Sequence, residues 1–486
     1  MARPSTSPGA SPSTSPGALA DVELPTACVI GAGSSGIAAA KALHERGIPF
    51  DCFERSDQVG GNWVFGNPNG MSAAYRGLFI NTSRERMEYS DFPMSKHIPD
   101  FPHHTHIREY FNQYVDHFGF RDRITFNADV THAERLPDGV WRLEVRRAGT
   151  GEPEVLHYDA LLVANGHHWD PRWPEPPLPG ADSFAGVQMH AHSYRDNDIL
   201  AGRDVVVVGM GNSAMDIAVE SSYVARTTYL AARRGAWVIP KYLGGRPADR
   251  KHPIFSNPRI PFPIRRAFIT YAIRSAVGTM EDYGLPKPDH KLGQAHPTVS
   301  GRILDRITHG TITPKPNPAA LEGDRVRFAD ATTVHADYVI YCTGYKITFP
   351  FFHPEFISAP DNRIELFRRV YEPGVPNLFF IGLLQPLGAI MPLAEAQGQW
   401  VCDYLRGQYH LPPPAELRRD IERDQRALRR RYVSSKRHTI QVDFDDYLHR
   451  LERERRAGAA RARAAAFALP VPPRAAAREG VGAAGG

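Results

Sequence analysis

The stretch Ala27-Cys-Val-Ile-Gly31-Ala-Gly33-Ser34-Ser35-Gly36 constrains this chain more than any other. A short apolar run ends in three glycines, and an alanine-rich segment follows at once. The order predicts a strand, a tight turn and a helix, which is what a dinucleotide pyrophosphate needs. Gly31 permits the turn, Gly33 lets the backbone approach the phosphates, and Gly36 lets the helix pack closely on the strand. Ser34 and Ser35 then open a helix whose free N–H groups and positive dipole end face the anion. The pattern returns at Val205-Val-Val-Val-Gly209-Met-Gly211-Asn212-Ser213-Ala214. Two such turns in one chain imply two dinucleotides.

At 486 residues there is room for two or three domains with ample cores. The 58 basic and 53 acidic residues leave a net charge of +5, too mild to indicate nucleic-acid binding. Cys28, Cys52, Cys342 and Cys402 show no C-x-x-C spacing, so neither a disulfide framework nor a metal site is expected. They read as small apolar side chains in a reducing, cytoplasmic setting. No run of about 18 apolar residues marks a membrane span. Residues 1–22, rich in Ser, Pro, Gly and Ala, and residues 457–486, rich in Ala, Arg, Pro and Gly, read as disordered tails.

The residue that ends the second strand of each unit separates the two sites. After the first turn, the helix should run to Gly47 and the next strand over residues 48–54. Glu54 stands 23 residues past Gly31, where a carboxylate accepts from both ribose hydroxyls and repels a 2′-phosphate. The first site therefore suits FAD or NAD. Arg233 and Arg234 follow 24 residues after Gly209, and guanidinium forks suit a 2′-phosphate. The second site therefore reads as NADPH. Between the two, Gly60-Gly61-Asn62-Trp63 reads as a loop passing closely over a planar ligand.

Further along, Tyr75–Pro93 reads Tyr-Arg-Gly-Leu-Phe-Ile-Asn-Thr-Ser-Arg-Glu-Arg-Met-Glu-Tyr-Ser-Asp-Phe-Pro, and Phe184-x-Gly186-x-x-x-His190-x-x-x-Tyr194 follows between the glycine turns. With Gly61-x-Trp63, these segments resemble the flavin-containing monooxygenase family. The resemblance covers about residues 25–450. It includes Ala160–Gly166, with Asn165 where the family has Thr, and Cys342-Thr343-Gly344-Tyr345, with Cys for Ala. It also includes Tyr283–Pro318, Pro376–Trp400 with Gln385, and Arg437–Asp443. Baeyer–Villiger monooxygenases are similar but carry Trp where Tyr194 stands.

The resemblance implies an α/β fold of two Rossmann-like domains, the NADPH domain inserted in the FAD domain. The first part of the FAD domain is expected over residues 23–170, the linker and NADPH domain over 171–345, and the return over 346–456. Trp169–Pro179 should be the linker, its prolines denying it a ladder. Tyr283–Pro318 should be an insertion within the NADPH domain. By resemblance, Asn81 faces the flavin and nicotinamide, its amide both donor and acceptor. Thr82, Thr343, Gly344 and Gln385 join the cofactor pockets, and His190 is a structural histidine, not a catalytic one.

The implied activity is oxygenation of amine nitrogen or thioether sulfur in small molecules, using NADPH and O2 through an FAD C4a-hydroperoxide. No membrane-anchoring tail like that of some animal members is legible, so a soluble protein is expected, with a homodimer left open. A Baeyer–Villiger ketone oxygenase and a non-catalytic nucleotide-binding redox sensor are the alternatives. A disulfide reductase is set aside because residues 58–66 hold no cysteine.

Overall fold

In the computed structural model, residues 23–149, 151–250, 260–433 and 439–471 are described. The first glycine turn leaves the middle strand of a five-stranded parallel sheet. From edge to edge the order is Leu378–Phe380, Ala160–Val163, Ala27–Ile30, Phe50–Phe53 and Ile124–Thr125. Successive residues of the central strand enter opposite cores: Ala27 and Val29 join one cluster, Cys28 and Ile30 the other. Both faces of the sheet are covered, so the strand is apolar throughout rather than alternating.

A second sheet repeats the plan in the order Thr313–Pro316, Thr227–Ala232, Asp204–Val208, Tyr338–Tyr341 and Val187–His190, again all parallel. Val205 and Val207 face one core, Val206 and Val208 the other. In each sheet the strand that carries the glycine turn is flanked by the next strand on one side and a late strand on the other. That is the topological switch point, where ligands settle outside the carboxyl ends of the strands. The fold is α/β with two Rossmann-like sheets, and the chain completes the first only after building the second.

The alanines after the first turn have a packing reason. Helix Ser34–Glu45 buries Ala38, Ala39, Ala40 and Ala42, and helix Met391–Leu405 lies against it. A Cβ on Gly398 would stand 3.1 Å from the Cα of Ala39. Small residues on both partners allow that approach, and the late helix thereby returns to the turn it supports. The first helix ends with Arg46 as its C-cap, and Gly47 follows at φ +64°.

Three expectations need correction. Asp170–Pro171 pairs antiparallel with Tyr345–Lys346, so the linker does form a ladder, of two residues. Proline lacks only a donor, and here the N–H of Arg172 supplies one to Gly344 (2.9 Å). The outgoing and returning crossings of the chain thus lie side by side. Tyr283–Pro318 is not wholly an insertion, because Thr313–Pro316 forms an edge of the second sheet, a place that tolerates proline.

Residues 457 onward do not begin as a tail, since one helix spans Phe444–Ala464. Gly458 and Ala462 are buried there. A Cβ on Gly458 would lie 1.9 Å from the ring of Tyr409, and Arg461 pairs with Glu454 (2.5 Å). An Ala/Arg-rich composition is ambiguous alone; small residues on the face that meets Tyr409 make it a packed helix. The expected tails at 1–22 and 472–486 lie outside the described residues, as do Arg437 and His438.

Candidate functional site

The carboxyl ends of both sheets open into one cleft of about 1890 Å³. That exceeds the 300–1,000 Å³ or so of a single small-ligand pocket. It has room for two dinucleotides and a substrate. Every residue singled out as a site candidate lines it except Gly36.

At the first pocket, Gly31 adopts φ +102°, and a Cβ there would lie 2.8 Å from the carbonyl of Ala164. Gly33 meets only Gly61 Cα, at 3.6 Å, so its missing side chain leaves space facing the cleft. Gly36 is different: a Cβ would lie 1.7 Å from the carbonyl of Gly31, which makes it a strand–helix packing residue. Ser34 and Ser35 form the first turn of the helix, as expected of an anion-binding N-terminus. Glu54 is buried at the end of its strand and accepts from the backbone N–H of Ala32 (2.6 Å) and of Ser56 (2.7 Å). Burial pushes its carboxyl up from the usual range, and the two N–H donors work against that shift.

Gly61, Asn62 and Trp63 form a single 3-10 turn beside the glycines. Asn62 is committed to the fold, its Oδ1 accepting from the N–H of Ala73 (2.7 Å). Gln385 reaches the same cleft from a short strand paired with Gln441.

The second pocket is built alike. Gly209 has φ +141°, and a Cβ would lie 2.9 Å from the carbonyl of Cys342. Asn212 and Ser213 open helix Asn212–Ser221, and Gly211 is its N-cap. The side chain of Asn212 accepts from the N–H of Val299 (2.9 Å), tying the Thr298–Val299 strand onto the turn. Arg233 and Arg234 are both exposed at the cleft, but only one is engaged: Arg234 donates to Asp289 (2.5 Å). Among the described residues, no hydrogen bond or ion pair holds Arg233. Thr343 donates to the carbonyl of Arg172, and Gly344 takes φ +87° beside the crossing strands.

Asn81 and Thr82 line the same cleft. The Oδ1 of Asn81 is buried and, among the described residues, has no hydrogen-bond partner. An unsatisfied buried acceptor costs about 1–3 kcal/mol, so a native chain that keeps one invites a ligand donor.

His190 ends its strand buried, with rings of Trp173 and Tyr345 against it, and its Nδ1 accepts the N–H of His192 (3.0 Å). Burial, then the neighbouring His192, lowers its pKa to about 4. It is therefore neutral near pH 7 and holds no imidazolium proton to donate. In the same segment Tyr194 is fully buried and donates to Glu220 (2.6 Å).

A family profile for "Flavin-binding monooxygenase-like" proteins matches residues 26–461. The chain belongs to the flavin-binding monooxygenase family. Its relatives include human flavin-containing monooxygenase 5, 35% identical over 440 residues, covering 87% of this chain and 81% of that protein. Rhesus macaque dimethylaniline monooxygenase [N-oxide-forming] 2 is 31% identical over 439 residues, covering 88% and 82%. Among solved structures, the S-allyl-L-cysteine S-oxygenase of Allium sativum superposes with a TM-score of 0.67 at 23% identity over 91% of this chain and 93% of that one. A cyclohexanone monooxygenase in an open form reaches 0.68 at 18% identity, covering 92% and 98%. At those identities the structural matches speak for the fold.

For a monooxygenase of this family the residues present fit a flavin dinucleotide. Gly31 and Gly33 leave a cradle that a Cβ would narrow, Glu54 is an acid at the ribose position, and Asn81 keeps an unanswered acceptor. Polar residues of this monooxygenase's cleft that the sequence alone missed include Asp216, Lys241 and Asp249. Asp216 receives the Tyr75 hydroxyl (2.6 Å), and burial raises its pKa to about 6. One signal was available. Asp216 stands between Met215 and Ile217 in a helix otherwise apolar there, where an acid needs a partner. No such cue marked Lys241 or Asp249.

No helix among the described residues is long and apolar enough to cross a membrane.

Proposed function

We propose that this flavin monooxygenase uses FAD, NADPH and O2 to oxygenate a soft nucleophile, an amine nitrogen or thioether sulfur of a small molecule. The observation that carries the reading is the contrast between the pockets. A buried carboxylate, Glu54, closes the first, and an unengaged guanidinium, Arg233, stands at the mouth of the second. One excludes a 2′-phosphate and the other attracts it. Among the sequence relatives, the name of dimethylaniline monooxygenase [N-oxide-forming] 2 supports this substrate class.

When bound, FAD would supply the redox chemistry by which hydride from NADPH reduces O2, one oxygen atom going to the nucleophile and the other leaving as water. The chain's own residues bind, orient and exclude water. The two helix N-termini hold the pyrophosphates, Glu54 accepts ribose hydroxyls and Arg233 pairs with the 2′-phosphate. Asn81 would offer its buried acceptor to a donor on a bound cofactor. The reaction requires no strong protein acid or base, and His190, neutral and engaged with His192, fits that requirement.

The test is direct. Purified protein should be yellow, bleach on anaerobic addition of NADPH, and convert methyl phenyl sulfide to its sulfoxide on admission of air. Protein that cannot be reconstituted with flavin sinks the reading. Faster turnover of cyclohexanone than of the sulfide replaces it with ketone oxygenation.

Arg233→Ala should raise KM for NADPH roughly tenfold or more, since a charge-assisted hydrogen bond is lost, while KM for NADH stays put. Arg234→Ala should have a smaller effect, because Arg234 is already paired with Asp289. Equal NADPH/NADH discrimination in Arg233→Ala and wild type removes Arg233 from the pocket.

A further inference from the structure

We infer that Lys241 and Asp249 are positioning residues for Asn81, clamping its turn onto the nucleotide-binding unit; the inference rests on the role proposed for Asn81 above. The Nζ of Lys241 donates to the carbonyl of Ile80 (3.0 Å). Asp249 accepts the backbone N–H of Ser83 (2.6 Å). The two bonds bracket Asn81 from either side, and both partners come from the segment that follows the second sheet's Thr227–Ala232 strand. A third tie lies a few residues earlier, where Tyr75 donates to Asp216 on the helix of the second glycine turn. The segment 75–83 thus belongs by sequence to the first unit and is tied to the second by these bonds and by Arg76, whose N–H donates to the Arg195 carbonyl (2.7 Å) and whose guanidinium pairs with Asp196 and Asp198 (2.9 Å each).

The need for such a clamp follows from where Asn81 stands. Its side chain serves a junction between two pockets on different sheets. The turn's own backbone bonds reach only the first unit, Ile80 N–H to Pro102 (3.0 Å) and Arg84 N–H to Asp100 (2.7 Å). Those bonds fix the turn relative to the first pocket, and the ties at Tyr75 and Arg76 lie five or more residues upstream of Asn81, so the residues that flank it need their own tie to the second unit. Lys241 and Asp249 supply the missing constraint.

The cost of placing an ammonium here is offset by its surroundings. Lys241 lies over the ring of Phe101 (5.0 Å to the centroid), and Asp216 provides the opposing charge. Its three donor hydrogens and long stem reach Ile80 from across the cleft wall. A misplacement of about 1 Å in a group that orients reactants is enough to lose much of a reaction's efficiency. Loss of the clamp should therefore appear as uncoupling, in which NADPH is consumed and hydrogen peroxide leaves in place of product.

The experiment uses flavin-loaded full-length protein and compares Lys241→Met, Asp249→Ala and Lys241→Arg with wild type. Amide hydrogen exchange over residues 79–84, measured without added nucleotide, reads the clamp itself. Sulfoxide formed per NADPH consumed, with methyl phenyl sulfide as probe, reads its consequence. Lys241→Met and Asp249→Ala should each speed exchange at least tenfold and cut the yield per NADPH at least threefold, by a larger factor than the rate of anaerobic flavin reduction. Lys241→Arg, still a donor to Ile80, should restore slow exchange and at least half the yield. Wild-type exchange in both variants overturns the inference. So does faster exchange with an unchanged yield, which marks a merely structural contact. If Lys241→Met does not fold, Asp249→Ala decides by the same two readings. Should wild type make no sulfoxide, the proposed function fails, and exchange alone still decides whether the clamp exists.

Discussion

Replacing Gly36 with alanine is expected to abolish flavin binding and to lower the melting temperature of the flavin-free protein by a few degrees. The new Cβ would lie 1.7 Å from the carbonyl oxygen of Gly31, less than half of an ordinary contact. That carbonyl belongs to backbone and cannot swing aside. Helix Ser34–Glu45 must move off its strand, which disturbs its packing on helix Met391–Leu405 as well. Overpacking of this kind costs roughly 1–3 kcal/mol, and more where neither partner yields. Gly33→Ala provides the contrast. Gly33 has an ordinary φ of −73°, and its Cβ would meet nothing nearer than 3.6 Å. The flavin-free protein should melt close to wild type while its flavin affinity falls, because only the ligand needs that space. Calorimetry of the flavin-free proteins and the flavin-to-protein absorbance ratio test both. A Gly36→Ala protein that remains yellow and melts like wild type refutes the account of how this turn is built.

The second large effect belongs to Asn81→Leu. Leucine has the same branched skeleton of heavy atoms, so flavin should stay bound and NADPH should still be oxidised. Sulfoxide per NADPH should fall below about one in five, the balance appearing as hydrogen peroxide, because the side chain that orients the junction no longer accepts a hydrogen bond. Stability should move the other way. Asn81 Oδ1 is buried without a partner among the described residues, and removing such an acceptor relieves about 1–3 kcal/mol of desolvation cost. The flavin-free variant should therefore melt at or above the wild-type temperature, an exchange of stability for function. Stoichiometric product from Asn81→Leu shows the residue to be dispensable.

Both glycine turns were legible because their signal is local. Backbone that must turn tightly and approach its own neighbours admits only glycine, so the constraint is written at Gly31, Gly36 and Gly209 themselves. The contrast between Glu54 and Arg233 was legible for a related reason: a fixed number of residues separates each from its turn by one helix and one strand. The errors came where the same composition serves two ends. Pro171 sits in a ladder that its neighbour Arg172 extends, and the Ala/Arg-rich run past residue 457 is a helix because Tyr409 covers its small face.

The cleft's distribution of partners could not be read in advance. Arg233 and Arg234 are adjacent and chemically identical, yet Asp289, 55 residues from Arg234, engages one and leaves the other free for a ligand. Lys241 and Asp249 carry no motif, and they matter only because folding sets them on either side of Asn81. The sequence by itself determined the two glycine turns, the order in which they occur and the charge that follows the second strand of each unit, since these depend on steric limits and on short, fixed spacings. Only the tertiary structure decided which polar groups remain unanswered at the junction of the two pockets, because a side chain's availability is a property of every element packed around it.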